Sequence, residues 1–195
     1  MSICHWIILR GYNAGTNRFF GTADNFETKF IVGSNVYQGD LFENNGTPLP
    51  SSPAGTGIRI HLAFTGTIGV SVKSYLNGTL DVTDSAVSSS PASPATLGVG
   101  GRAGSSDYAN GDMEDIRVYD RELTGSEIRC IYASNGRDGI ISGLINRWAQ
   151  TSKGDGTDIS SDYIYDETAS RQHLQKAASG VIYYRGGFLN PRRRV

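Results

Sequence analysis

The sequence predicts an all-β protein, a sandwich or barrel of about a dozen short strands with one short helix. Three observations carry that prediction. Glycine supplies 25 of 195 residues, and Ser, Thr and Asn crowd between short apolar runs. Such composition favours turns over long helices, because glycine weakens helix interiors and takes φ > 0 positions. Apolar and polar residues alternate along Ile58-Arg59-Ile60-His61-Leu62-Ala63-Phe64-Thr65, the period of a strand with one buried side. Asn77-Gly78, between two such runs, is the pair favoured in a two-residue type I′ hairpin.

In chain order, strands are expected at Ile3–Leu9, Phe26–Val32 and Val36–Phe42, followed by a Pro/Ser-rich surface loop at Thr47–Gly57. A meander occupies residues 58–83. Ile58, Ile60, Leu62 and Phe64 line one face of its first strand, Val70, Val72 and Leu76 one face of the second, and Thr79–Val82 returns after the turn. A second Ser/Pro loop, Ser88–Pro94, leads to strands at Ala95–Gly100 and Met113–Tyr119. The helix follows. Thr124-Gly125-Ser126-Glu127 fits the capping box, Ile128, Ile131 and Tyr132 recur at helical spacing, and Asn135-Gly136 supplies the stop. Strands at Leu144–Ala149, Gln172–Lys176 and Val181–Arg185 complete the reading.

Composition excludes several classes. With 38% hydrophobic and 19% charged residues the chain is an ordinary globular domain, not a disordered one. Nineteen acidic residues against 18 basic ones, a net charge of −1, argue against nucleic-acid binding through the whole surface. The longest apolar stretch, Trp6-Ile7-Ile8-Leu9, is far short of the roughly 18 residues of a membrane span, and the start lacks the basic-then-apolar layout of an export signal. Cys4 and Cys130 are expected as two buried thiols rather than a disulfide.

The runs IHLAFTG, SVKSYLNGTLDV, LGVGG and GDMEDIRVYDRELTGSEI, in that order and spacing over residues 58–132, resemble the concanavalin A-like lectin/glucanase superfamily in its laminin-G-like and pentraxin-like branch. The most specific piece is Gly111–Ile128. The resemblance implies a jelly roll of two antiparallel sheets. It departs from the family pattern where the usual Trp-His-His is Arg59-Ile60-His61, so the Trp packing is replaced. The strands the family places first look as if they had moved to residues 144–176, a circular permutation across the Gly-rich join at 134–143, with strand swapping between subunits as the alternative. The single domain, 1–195, then divides into a main body (1–143), a sheet-completing segment (144–187) and a basic arm (188–195).

Relatives that hydrolyse glycans use a Glu-x-Asp-x-x-Glu pattern or a close variant, and this sequence has none. The nearest carboxylates, Asp112 and Glu114, share one side of a strand about 7 Å apart and read as a solvated rim. No catalytic residue is assigned. His5, His61 and His173 are widely scattered, and His5 and His61 read as structural strand residues. The candidate sugar-binding residues are Asp107, Tyr108, Asn110 and Asp112, in the loop RAGSSDYANGD, whose ordinary reading is a polar surface loop. Calcium would draw on Asp155, Asp158 and Asp162, which lack the spacing of a defined cation loop, so no metal or other cofactor is assigned. Arg192, Arg193 and Arg194 after Pro191 form either a solvated extension or an arm that contacts a partner's carboxylates or nucleic acid.

These readings give a non-enzymatic structural or surface-attachment module, a virion component such as a head-decoration or tail-associated protein. The arginine-rich ending resembles jelly-roll proteins of tailed bacteriophages, and the missing export signal fits assembly in the cytoplasm. Expected partners are other virion or surface proteins and further copies of the chain, with a glycan as an additional ligand. A freestanding lectin and an atypical glycan hydrolase are the alternatives.

Overall fold

The structure, a computed structural model of the chain, describes residues 1–12, 15–21, 27–41, 47–49, 55–85, 96–101, 109–148, 163–164, 168, 174–176 and 182–185. In chain order they form β1 (Ser2–Gly11), β2 (Thr16–Gly21), β3 (Glu27–Ile31), β4 (Val36–Asp40), β5 (Thr47–Leu49), β6 (Arg59–Thr67), β7 (Ser71–Leu76), β8 (Thr79–Asp84), β9 (Thr96–Val99), β10 (Asn110–Tyr119), α1 (Gly125–Ala133), β11 (Leu144–Trp148), β12 (Tyr163–Ile164), β13 (Leu174–Lys176) and β14 (Ile182–Arg185). The strands make two antiparallel sheets, six strands in the order β11-β10-β1-β6-β7-β8 and eight in the order β12-β13-β14-β9-β2-β3-β4-β5. This is the expected jelly-roll sandwich with one short helix.

The core lies between the sheets. Ile3, Ile7 and Leu9 of β1, with Ile60, Leu62 and Phe64 of β6, meet Phe19, Phe20, Phe30 and Tyr37 from the second sheet. His5 faces the same way, its Nε2 lying 2.9 Å from Thr28 Oγ1 on β3. The sheets approach so closely that a β-carbon on Gly39 would overlap the Phe64 ring. Ile58 stays half exposed because the strand begins after it.

The opposite face of the first sheet is covered as well. Cys4, Ala63, Tyr75 and Tyr119 on that face pack under Leu123 and the Ile128 and Ile131 side chains of α1. The capping box forms as expected: the Glu127 N–H donates to Thr124 Oγ1 at 3.2 Å, and the Thr124 N–H donates to Glu127 Oε2 at 2.8 Å. Asn135 (φ 53°) and Gly136 (φ 76°) turn the chain away, with the Gly136 N–H donating to the Ile131 carbonyl. Asn77 (φ 49°) and Gly78 (φ 76°) make the hairpin, both with the positive φ of a type I′ turn.

One irregularity in β10 organises this region. Cys4 pairs with Arg117 and Trp6 with Glu114, so Asp115 and Ile116 together oppose the single residue His5. This is a β-bulge, and Asp115 adopts φ +47°. The fully buried Arg117 clamps it, its Nη2 donating to Asp115 Oδ2 (2.8 Å) and to the Gly136 carbonyl (2.8 Å), and its Nη1 to Asp138 Oδ1 (2.9 Å). From β11, Arg147 donates to Asp115 Oδ1 (2.8 Å) and to the same carbonyl (2.6 Å). Burial opposes ionisation of Asp138, but the hydrogen bonds from Arg117 and the Ile140 N–H, together with the charge of Arg117, hold the carboxyl below its ordinary range.

β11 extends the first sheet and β12, β13 and β14 extend the second. β11 pairs with β10 at one edge of the first sheet and carries the fully buried Trp148, and β14 joins the second sheet beside β9. Three expectations are corrected. Thr47–Leu49 is not loop but the edge strand β5, where Pro48 is tolerated because an edge needs fewer ladder donors. Cys130 is an exposed thiol, since it lies on the solvent side of α1, whereas Cys4 is buried as expected. Asn110 and Asp112 belong to β10 and not to a loop, because Asn110 pairs with Gly11 and Asp112 with Ile8.

Trp148→Ala is expected to destabilise the domain by about 3–5 kcal/mol, as losing a buried Trp does. An unchanged melting temperature would remove β11 from the core. Arg117→Met, which leaves Asp138 without its buried cation and Asp115 with Arg147 alone, is expected to cost about 3–5 kcal/mol in denaturant unfolding.

Candidate binding face

Side chains of cross-strand partners share a face. Since His5 points into the core, Trp6 points outward, and strand alternation then carries Ile8 and Arg10 to the same side. Register sets two rows across β10, β1 and β6: Asp112, Ile8 and Arg59, then Glu114, Trp6 and His61. They lie beside Tyr132 and Asn135, at the C-terminal end of α1.

The polar groups of these rows are matched in pairs. Arg10 donates to Asp112 Oδ2 from Nε (2.9 Å) and Nη2 (2.6 Å). Arg59 donates to Glu114 Oε2 from Nε (3.1 Å) and Nη2 (2.7 Å), and to Asn135 Oδ1 from Nη1 (2.9 Å). The Arg59 guanidinium also lies 3.7 Å from the centroid of the Trp6 ring, a cation–π contact. Trp6 stacks on Tyr132 at 5.4 Å and meets the tilted His61 ring at 5.0 Å. Asn77 fixes His61 from the turn, its Oδ1 accepting from the His61 backbone N–H at 2.9 Å. Burial, then the charges of Arg117 and Arg59, lower the His61 pKa to about 3, so its ring is neutral. Beneath this cover Trp6 Nε1 and both ring nitrogens of His61 are buried without a hydrogen-bond partner.

Of the residues expected in a sugar-binding loop, the structure brings Asn110 and Asp112 to the upper end of this face. Asp107 and Tyr108 lie outside the described residues, as do the Asp155, Asp158 and Asp162 of the calcium reading and the arm residues Arg192, Arg193 and Arg194. Asp112 and Glu114 do share one side, and each is ion-paired with its own arginine. Trp6, Arg10 and Arg59 were not legible as site residues, because their meeting depends on strand register. The Trp missing from the Arg59-Ile60-His61 motif is supplied by the neighbouring strand, since Trp6 pairs directly with His61.

A second polar cluster sits on the second sheet. Thr28 faces the core, so Glu27 and Lys29 point to the other side, and Asp40 is the cross-strand partner of Glu27. Lys29 Nζ donates to Glu27 Oε1 (2.7 Å) and Asp40 Oδ2 (2.6 Å), and Arg18 is ion-paired with Glu27. Asp40 is 4% and Glu27 8% exposed, and Asp40 Oδ1 is buried with no partner. Burial pushes the Asp40 carboxyl up to about 7 against the pull of Lys29. Burial also resists ionisation of Glu27, but the hydrogen bond and charge of Lys29, with hydrogen bonds from Asp40 and Arg18, together hold its pKa below the usual range. Below about pH 7 the pair therefore holds a neutral acid beside a carboxylate, an arrangement that spacing in the sequence does not disclose.

Among the described residues no group of three His, Cys, Asp or Glu side chains is placed to hold a metal ion. No helix among them is long and apolar enough to cross a membrane.

Because Asp40 binds its proton more tightly folded than unfolded, its contribution to stability is complete below the unfolded pKa of 3.8 and is lost as pH rises through about 7. Thermal melts from pH 5 to 8.5 are expected to show this decline in the native protein, and Asp40→Asn should flatten it and melt higher above pH 7. A variant with the native pH profile would refute the assignment.

Comparison with known proteins places this geometry. The sequence profile of a family described as the concanavalin A-like lectin/glucanases superfamily, laminin-G type, matches residues 1–129. A search of curated protein sequences finds no match. Among solved structures, a candidate carbohydrate-binding protein of Bacteroides ovatus superposes with a TM-score of 0.65 at 16% identity, over 94% of this chain and 51% of its own. A heptameric SAP-like pentraxin of Limulus polyphemus gives 0.51 at 18% identity, over 70% of each chain. A sialidase of Trypanosoma rangeli gives 0.53 at 15% identity, over 71% of this chain and 23% of the enzyme. The chain thus spans about half of the first protein and about a quarter of the last.

Proposed function

We propose that this chain, which belongs to the concanavalin A-like lectin/glucanase superfamily, is a non-enzymatic attachment module that binds carbohydrate through the outer face of its first sheet. The observation that carries this reading is the row of Glu114, Trp6 and His61 beneath Arg59: an aromatic ring bordered by planar hydrogen-bonding groups. Flat aromatic faces pack against the apolar side of a sugar ring, and carboxylates beside the ring read its hydroxyls. The Bacteroides ovatus and Limulus likenesses support the scaffold alone.

The finer part of the proposal is that the module is a virion component, a head-decoration or tail-associated protein present in several copies. It rests on the Arg192-Arg193-Arg194 ending, whose guanidinium groups suit the carboxylates of a neighbouring protein. Removing residues 190–195 is expected to keep the fold and weaken attachment to that neighbour in a salt-dependent way, measured by sedimentation with purified particles.

Non-catalysis is supported by the state of the carboxylates. Asp112 and Glu114 are each held by an arginine, and Glu27 and Asp40 are buried. An atypical glycan hydrolase is the second reading, favoured by one observation: Glu27 and Asp40 are an acid and a carboxylate on adjacent strands. Incubation with bound glycans is expected to release no reducing sugar. A hydrolytic rate abolished by Glu27→Gln with Asp40→Asn, or by Glu114→Gln with Asp112→Asn, would overturn the non-enzymatic reading. A glycan array with the mass in solution tests attachment itself, and a protein silent on every glycan would refute carbohydrate binding.

A further inference from the structure

We infer that the outer face of the first sheet takes a neutral, polyhydroxylated sugar rather than an acidic one, and that Arg59 is the cap this sugar displaces from Trp6. The inference rests on the carbohydrate-binding reading and specifies its ligand.

Three polar atoms point to a ligand. Trp6 is 4% and His61 1% exposed, and Trp6 Nε1, His61 Nδ1 and His61 Nε2 are all without a hydrogen-bond partner. Buried polar atoms are ordinarily satisfied, and three orphans in two touching rings mark a place where something else completes the bonding. Their chemistry selects its partner. Indole Nε1–H donates only, while neutral imidazole donates from one nitrogen and accepts at the other. A hydroxyl both accepts and donates, so vicinal hydroxyls satisfy all three. A carboxylate or sulfate only accepts, and would leave one imidazole nitrogen unpaired.

The charges agree. Each arginine of the face is matched by one carboxylate, Arg10 by Asp112 and Arg59 by Glu114. An anionic ligand would compete with these carboxylates for the guanidinium groups and be repelled by them. A neutral polyol can donate to the Asp112 and Glu114 carboxylates and accept from Arg10, with no charge displaced.

The cap is the removable part. Tyr132 is carried by α1 and His61 by a central strand, whereas the Arg59 guanidinium reaches Trp6 at the end of a long side chain that is 36% exposed. A sugar ring stacking on Trp6 takes the position of that planar group, and Arg59 remains tethered to Glu114 and Asn135 at its new edge.

The test uses the full chain and two sets of probes, cellotriose, maltotriose and chitotriose against sialyllactose and trigalacturonate, by titration calorimetry and tryptophan fluorescence. The expected result is binding confined to neutral probes, changed less than twofold between 50 and 500 mM salt, with a shift in emission. Trp6→Phe, whose fold is checked by circular dichroism and melting, is expected to weaken binding at least tenfold. Arg59→Ala is expected to bind at least as tightly as the native chain and to make Trp6 accessible to acrylamide quenching. Preference for the acidic probes, or neutral binding untouched by Trp6→Phe, overturns this inference while leaving carbohydrate attachment standing. Tenfold weaker binding in Arg59→Ala shows that Arg59 is a ligand-holding residue and overturns the cap. Failure of every probe, and of every glycan on an array, overturns both.

Discussion

The bulge at Asp115 is the constraint on which the first sheet depends. Strand alternation alone would send residues 113, 115 and 117 of β10 to one side and 114, 116 and 118 to the other. The sequence asks for something different, because Met113, Ile116 and Val118 all belong in the core and two of them differ in parity from the third. Placing one extra residue at Asp115 resolves the conflict. It turns Met113 inward with Ile116 and Val118, and leaves Glu114 outward beside Trp6. An aspartate at positive φ is uncommon and strained, so the arrangement needs external support. Arg117 and Arg147 supply it, and because both also bind the Gly136 carbonyl, the same contacts fix where the chain leaves the helix.

That network explains why fold and candidate face are one problem. Arg117 and Arg147 are cross-strand neighbours, a like-charge juxtaposition that would be unfavourable without Asp115 between them. With Asp115 in place, β11 is drawn onto β10, Trp148 closes one side of the core, and the helix exit is held against the sheet. Tyr132 and Asn135 then stand where they meet Trp6 and Arg59. The face is therefore assembled by a bulge, a helix terminus and an edge strand distant from one another in sequence.

The parts legible in the sequence are those governed by local rules. The capping box at Thr124 and Glu127, the Asn77-Gly78 turn and the alternation through Ile60, Leu62 and Phe64 each depend on a few consecutive residues, and each appears as expected. β1 was legible as a strand but not as to its faces, since nearly every residue from Ser2 to Leu9 is buried and the apolar pattern is continuous. β5 escaped notice because prolines surround it, and an edge strand tolerates them. β2 was missed because a register shift between Arg18 and Phe20 leaves Phe19-Phe20 adjacent, without the alternation that identifies a strand. For the face, Asp112 and Glu114 could be placed on one side of a strand from spacing alone. Their arginine partners come from β1 and β6, and no local pattern announces a cross-strand pair.

The two polar clusters differ in how each treats water, and this separates their roles. Around Glu27 and Asp40 the ions are nearly buried, so the charge is retained on Glu27, which both Lys29 and Arg18 reach, while burial favours the proton on Asp40 in spite of its contact with Lys29. Such a cluster is committed to its own partners and couples the β3–β4 pair to pH. Around Trp6 the ion pairs are partly exposed, which makes each of them weak and exchangeable. A recognition surface needs that property: groups held in register by the sheet, yet bound to one another loosely enough for an incoming hydroxyl to replace the contact. The burial of the second sheet's carboxylates commits them to one another and to Lys29, and the partial exposure of the first sheet's pairs leaves those contacts exchangeable.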